Sequence, residues 1–187
     1  IKADGVYIDT FIAPEDLTAR TLRQNIRKVQ KAAVSAQREG ARVVTLGGFT
    51  SIVLEGNTSL LDLADPAPAF TTGNTLTVAL IVKGIEKAAA VRGLDLAEAR
   101  LLVLGATGDL GTGCVRYFAG RLGGIDLCAR NQRRLQQLAQ TLEAEGQATR
   151  YSADANSLLR EADLVIAVAS LATPEFDTAQ CKDGAVI

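Results

Sequence analysis

Between Arg100 and the last residue the chain alternates short apolar runs with amphipathic ones, and this alternation limits the fold more than any other feature. Strand-like runs lie near 101–104, 125–129, 148–151, 164–169 and 184–187, and helical patterns near 109–121, 132–145 and 154–161. Strands separated by helix-length segments read as parallel βαβ units, which predicts an α/β fold with a doubly wound parallel sheet. The run Leu101 to Leu104 is apolar without interruption, as a central parallel strand covered on both faces requires.

Upstream, Val6 to Ala13 reads as a strand, and Pro14, Glu15 and Asp16 supply a proline and acids at a helix start. Residues Leu17 to Glu39 place Leu22, Ile26, Val29, Ala33 and Ala36 at steps of three and four among Arg23, Arg27, Lys28 and Arg38. That is an amphipathic helix ended by Gly40, with its basic face read as solvated. Ala41 to Leu46 forms a second strand closed by Gly47 and Gly48, and Pro66 and Pro68 mark 51–68 as an irregular connection. A small polar loop, Thr71 to Thr75, then feeds an alanine-rich helix from Leu76 to Arg92 that Gly93 ends. The expected organisation is a smaller α/β lobe over 1–92, long connecting helix included, followed by the doubly wound domain over 93–187.

Composition narrows the function. A chain of 187 residues with 48% hydrophobic side chains fits a soluble protein with a sizeable core. A net charge of -1 and 4% aromatics offer nucleic acid little charge and few stacking platforms. No apolar run approaches the roughly 20 residues of a membrane-spanning helix, and no secretory signal is visible. Cys114, Cys128 and Cys181 are widely spaced with no C-x-x-C pair, so no metal site is expected and a reducing cytoplasm is the simplest setting. The absence of histidine removes the commonest acid–base group. A chain that begins at Ile1 and stops in a strand-like run is expected to be a piece of a longer protein.

The apolar run at 101–104 passes directly into Gly105, Ala106, Thr107, Gly108, Asp109, Leu110 and Gly111. A strand turning sharply into a helix needs a residue tolerant of unusual φ/ψ, and a pyrophosphate reaches the backbone only where no Cβ intervenes. Gly105 and Gly108 suit those demands; Gly111 lets the helix pack close, so that its amides and dipole face the phosphates. The spacing is G-x-x-G-x-x-G, a variant whose weight comes from its strand–turn–helix context. A Rossmann-type dinucleotide site is expected here. The next strand ends in Arg130 and Asn131, with Arg133 and Arg134 opening the following helix. A carboxylate there would accept the ribose 2'-OH and repel a 2'-phosphate, whereas Arg130, with Arg133 or Arg134 adding charge, suits the phosphate, so NADP(H) is favoured. The contrary reading makes Asp126 the ribose acid; its place before the strand end points it at a helix or solvent instead. Ala169 and Ser170, at the tip of the fourth strand, are expected beside the nicotinamide, although Ser170 and Thr173 also suit a turn before Pro174. Gly73, Asn74 and Thr75 offer amide, hydroxyl and N–H donors to a substrate oxygen, or alternatively cap a helix.

Taken with the glycine turn, the strings Leu46 to Ile52, Phe70 to Thr75 and Ala129 to Asn131 resemble, in the same order, strings of the cyanobacterial long-chain acyl-[acyl-carrier-protein] reductases. The resemblance runs from about Val6 to Ile187. It implies NADPH-dependent reduction of a fatty acyl thioester to an aldehyde through an acyl-cysteine, with a small-molecule or carrier-borne thioester as partner and a homo-oligomer left open. Two departures matter. Leu76 stands where the family has histidine, and the family's nucleophilic cysteine lies beyond the dinucleotide domain, so the catalytic residue is expected after Ile187. The polar string at 73–75 is also similar to a segment of shikimate dehydrogenases, without their aspartate. A shikimate-dehydrogenase-like or methylene-pterin-dehydrogenase-like oxidoreductase and a non-catalytic NADP-binding module are the alternatives.

Overall fold

The computed structural model describes residues 4–54, 58–169 and 176–187. The chain divides into two compact units, Ile1–Gly73 and Asn74–Ile187. In the first, α1 (Leu22–Arg38), β1 (Val43–Thr45), α2 (Phe49–Leu54) and β2 (Ala69–Thr71) follow in order. β1 and β2 pair in parallel, from Val43 opposite Ala69 to Thr45 opposite Thr71. Val29 and Ala33 of α1, Val53 and Leu54 of α2, Leu46 and Leu61 form the buried core of this unit.

Three local expectations change here. The 6–13 run is not a strand: Val6, Tyr7 and Phe11 are exposed and have no ladder to join. α1 begins at Leu22 rather than Leu17, because Thr18 and Thr21 bond each other, Oγ1 to Oγ1 at 2.9 Å, and divert the backbone into turns. The connection at 51–68 contains part of α2 and a 3-10 turn at Thr58–Leu61, and β2 follows it.

The second unit contains α3 (Asn74–Arg92), β3 (Arg100–Leu104), α4 (Asp109–Phe118), β4 (Gly124–Cys128), α5 (Gln132–Ala144), β5 (Thr149–Ser152), α6 (Asn156–Leu159) and β6 (Leu164–Ala167). The strands lie in the order β5-β4-β3-β6, all parallel. The order reverses at β3, which is the switch point of a doubly wound sheet. The expected strand at 184–187 is reduced to one parallel bridge, Val186 to Leu164.

Both faces of the sheet are covered. On one, Leu101, Val103, Ile125, Leu127, Leu164 and Ile166 pack with residues of α3, α4 and α5; on the other, Leu102, Leu104, Cys128 and Val165 pack with Leu158 and Leu159 of α6. Residues 101–104 are at most 4% exposed, and each such side chain contributes about 1.5–3 kcal/mol of burial. The contacts assign α3 to this unit rather than to the first lobe, where the sequence reading counted it. Its Val82, Ile85 and Ala89 are buried in the sheet's core, and Val78 presses against Gly113 of α4.

Asp126 departs from both sequence readings. It is fully buried in β4, bound by arginines of the two neighbouring strands. Arg100 of β3 donates to its Oδ1 at 2.8 Å, while Arg150 of β5 donates to Oδ1 at 3.0 Å and to Oδ2 at 2.7 Å. The hydrogen bond to Asp126 raises the Arg150 pKa further, against desolvation. Asp163, just before β6, is drawn two ways: burial pushes its pKa up, but bonds from Lys182 and the Arg100 amide hold it below the usual range. A depressed pKa makes that contribution present above the aspartate's ordinary value, about pH 4, and lost as pH falls.

Asp126→Ala, by removing the buried acceptor of Arg100 and Arg150, whose side chains are 27% and 38% exposed, should cost about 2–3 kcal/mol in denaturant unfolding. Glu145→Ala, which removes a half-exposed partner of Arg116, should cost at most about 1 kcal/mol. Equal losses in the two variants would contradict the assignment of Asp126 as the electrostatic centre of the sheet.

Candidate functional site

The site is assembled where β3 ends. Gly105 turns the chain with φ +84°, a left-handed conformation that costs a residue with a Cβ about 1–2 kcal/mol. Space forbids a side chain as well: a Cβ at Gly105 would lie 2.8 Å from the Ala169 nitrogen and 3.0 Å from the Val168 carbonyl carbon, at the tip of β6. The Gly105 and Ala106 amides both donate to the Cys128 carbonyl at the end of β4, at 2.8 and 3.1 Å. Three strand ends therefore meet at one residue without a side chain.

Gly111 is required for a different reason. Its Cβ would strike the Gly105 carbonyl oxygen and lie 2.8 Å from the Ala106 Cα, so only glycine lets α4 start this close to the strand. Thr112 secures the same corner, its Oγ1 donating to the Ala106 carbonyl at 3.1 Å. Gly108 is unlike the other two. Its φ of -82° suits any residue, and a Cβ there would meet only the Gly105 oxygen at an ordinary 3.4 Å. It is the N-cap of α4, and no side chain caps that helix. Serine, threonine, aspartate or asparagine at this position would add about 1 kcal/mol as a cap over alanine. Neither backbone conformation nor packing bars a side chain at Gly108, and glycine is itself among the residues favoured at an N-cap. Thr107, Leu110 and Ala169 are half-buried around this turn, and Gly108 and Asp109 are exposed.

At the tip of β4, Arg130, Arg133 and Arg134 are exposed, and among the described residues their side chains have no carboxylate partner. Asn131 is the N-cap of α5, its Oδ1 accepting from the Arg134 amide at 3.1 Å. The structure therefore gives Asn131 a helix-capping role that the sequence reading did not. The one carboxylate of β4, Asp126, is occupied by its two arginines.

Asn74 opens α3, and its Nδ2 donates to Asp109 Oδ2 at 3.3 Å. This contact, between residues 35 positions apart, joins a proposed substrate residue to the glycine turn, and no sequence pattern signalled it. Gly73 just before it has φ +73° and donates its amide to Thr71 Oγ1 at 3.2 Å. Thr75 is exposed, and so is Leu76, at 66%. Ser170 and Thr173 lie outside the described residues.

Cys114 and Cys128 are buried, and burial pushes the Cys114 thiol up from its ordinary value. Cys181 packs with Phe176 against the α6 face of the sheet. Among the described residues, no group of histidine, cysteine or carboxylates could hold a metal ion, and no helix is long and apolar enough to cross a membrane.

Topology and turn together define a Rossmann-type domain: a parallel sheet ordered 5-4-3-6, with a glycine-built βα turn at the switch point. No family model matches the chain. It is 40% identical over 174 residues, 89% of its length, to the long-chain acyl-[acyl-carrier-protein] reductase of Synechococcus elongatus. Across that length the chain is a relative of this reductase family, and it spans 50% of that protein. Among solved structures, an L-alanine dehydrogenase superposes with TM-score 0.49 and 21% identity over 60% of this chain and 36% of its own. The L-tryptophan dehydrogenase of Nostoc punctiforme superposes with TM-score 0.39 and 15% identity over 84% of this chain and 42% of its own.

Gly105→Ala and Gly111→Ala should each lower the thermal midpoint by several degrees, as about 1–3 kcal/mol of strain or overpacking requires. Gly108→Ala should lower the midpoint less than either, by about 1–3 °C, since glycine is favoured over alanine at an N-cap by roughly 0.5–1 kcal/mol. Thermal unfolding followed by circular dichroism separates the three. A large loss at Gly108 would remove the reason for placing a ligand there.

Proposed function

We propose that this chain binds NADP(H) on the turn from Gly105 to Gly111 and belongs to an oxidoreductase that reduces an acyl thioester to an aldehyde. The observation that carries the cofactor reading is Gly108, a glycine that the protein's own conformation does not need, at the uncapped start of α4. The amides of Asp109, Leu110 and Gly111 would hold the pyrophosphate there, with Ala106 and Thr107 lining the turn. Arg130 and Arg133 would hold the 2'-phosphate, and Asn131 would orient that corner through its cap. The occupation of Asp126 by Arg100 and Arg150 supports NADP over NAD, because β4 then offers no carboxylate for a ribose hydroxyl. Ala169, against Gly105, would border the nicotinamide end, with Ser170 following it.

When bound, the cofactor supplies the hydride; the chain supplies position. Gly73, Asn74 and Thr75 are proposed to meet the substrate. Asp109 holds the Asn74 carboxamide at 3.3 Å, which fixes a polar group beside the turn where a thioester oxygen would need a donor. The thioester substrate is supported by the relative's activity and by the order of shared strings. The nucleophile of an acyl-cysteine route is placed outside these 187 residues, a reading supported by the burial of Cys114 and Cys128 and by the half-buried Cys181 against the α6 face.

Titration of nicotinamide fluorescence should show NADPH binding at least about tenfold tighter than NADH, and Arg130→Ala should remove most of that preference. Gly108→Ala should weaken both cofactors while the fold persists. Equal affinity for NADH and NADPH would contradict the role given to Arg130.

A further inference from the structure

The near-neutral total charge conceals a strongly polarised helix. Residues Leu22–Arg38 of α1 include Arg23, Arg27, Lys28, Lys31 and Arg38 and no carboxylate. At about 100° per residue, Arg23, Arg27, Lys31 and Arg38 fall within roughly 80° of one another. That stripe is opposite the buried face formed by Asn25, Val29, Ala33 and Ala36. All four cations are exposed, and among the described residues none has an ion pair or a side-chain hydrogen bond. Lys28, off the stripe, shows the contrast: its Nζ donates to the Phe11 carbonyl at 2.8 Å and lies 3.9 Å from Asp16. The structure uses Lys28 and leaves the other four to solvent.

We propose that this stripe is the docking surface for an acidic face of the protein carrier that delivers the acyl thioester, an inference that rests on the thioester-reductase reading above. The geometry favours a protein over other anions. Arg23, Arg27 and Lys31 stand one turn apart, about 6 Å along the helix, which matches carboxylates at three- and four-residue steps on a partner helix. Guanidinium forks pair with carboxylates bidentately, so the stripe can fix register as well as attract. A membrane is less suited, because the apolar face that a surface helix would insert is buried in the unit's own core. Nucleic acid would lack stacking partners, since the stripe carries no aromatic residue.

The test uses the charge-reversed variant Arg23→Glu, Arg27→Glu and Lys31→Glu in the intact natural protein, with its fold checked by circular dichroism. Binding of hexadecanoyl-acyl carrier protein, read by calorimetry, should weaken at least about tenfold at low salt, and the difference should shrink at high salt. In steady-state reduction, KM for that carrier should rise similarly, while KM for the same acyl group on neutral N-acetylcysteamine should change less than about twofold. Unchanged carrier affinity would overturn the proposal. So would unchanged carrier affinity accompanied by charge-dependent binding to phosphatidylglycerol vesicles, which would assign the stripe to a membrane. If the unaltered protein reduced neither thioester yet bound the carrier in a stripe-dependent way, the docking surface would stand and the reductase reading would fall.

Discussion

The fold closes around a backbone position that has no room for a side chain. At Gly105, the exit of β3 passes within van der Waals contact of the Val168–Ala169 backbone, and its amide is tied to the end of β4. The sheet can keep β4 and β6 on either side of β3, with their tips converging, only because that residue lacks a Cβ and tolerates φ +84°. Gly111 then lets α4 descend onto the same corner, and Gly113 lets α3 lie against α4 through Val78. The rim of the sheet and the placement of two helices follow from these close approaches. The corner they leave carries the start of α4, where Gly108 and Asp109 are exposed.

Charge placement gives this corner its chemical character. The parallel sheet buries one aspartate and satisfies it from both neighbouring strands, through Arg100 and Arg150. Such a cluster is costly to desolvate and costly to break, so it fixes the pairing of three strands rather than adding much net stability. It also leaves the tip of β4 without an acid while Arg130 and Arg133 remain uncompensated. One residue thus connects the register of the sheet to the proposed preference for a 2'-phosphate.

What the sequence made legible was what burial on two faces writes into it. The unbroken run at 101–104 and the strand–helix alternation after it correspond to observed elements, with ends moved by at most three residues, except the 184–187 run, which keeps a single bridge. Short or partly exposed elements left no such record. β2 has three residues, two of them exposed, and follows two prolines; the apolar 6–13 segment lies exposed and unpaired. The helix α3 is legible as a helix but not as part of the sheet's core, because a pattern of apolar residues does not name the surface it packs on. In the candidate site, the glycine spacing and the arginines were readable because each residue type has a local reason to be there. The Asn74–Asp109 bond and the surroundings of Asp126 were not, since both depend on side chains brought together from distant positions.

The central claim is that the start of α4 receives the phosphates of a dinucleotide, and amide chemical shifts of the isotopically labelled protein on addition of NADPH address it most directly. The account predicts that the largest shifts fall on Gly108, Asp109, Leu110 and Gly111, with a second group at Arg130 and Asn131. Saturable NADPH binding that leaves those amides unmoved would contradict it.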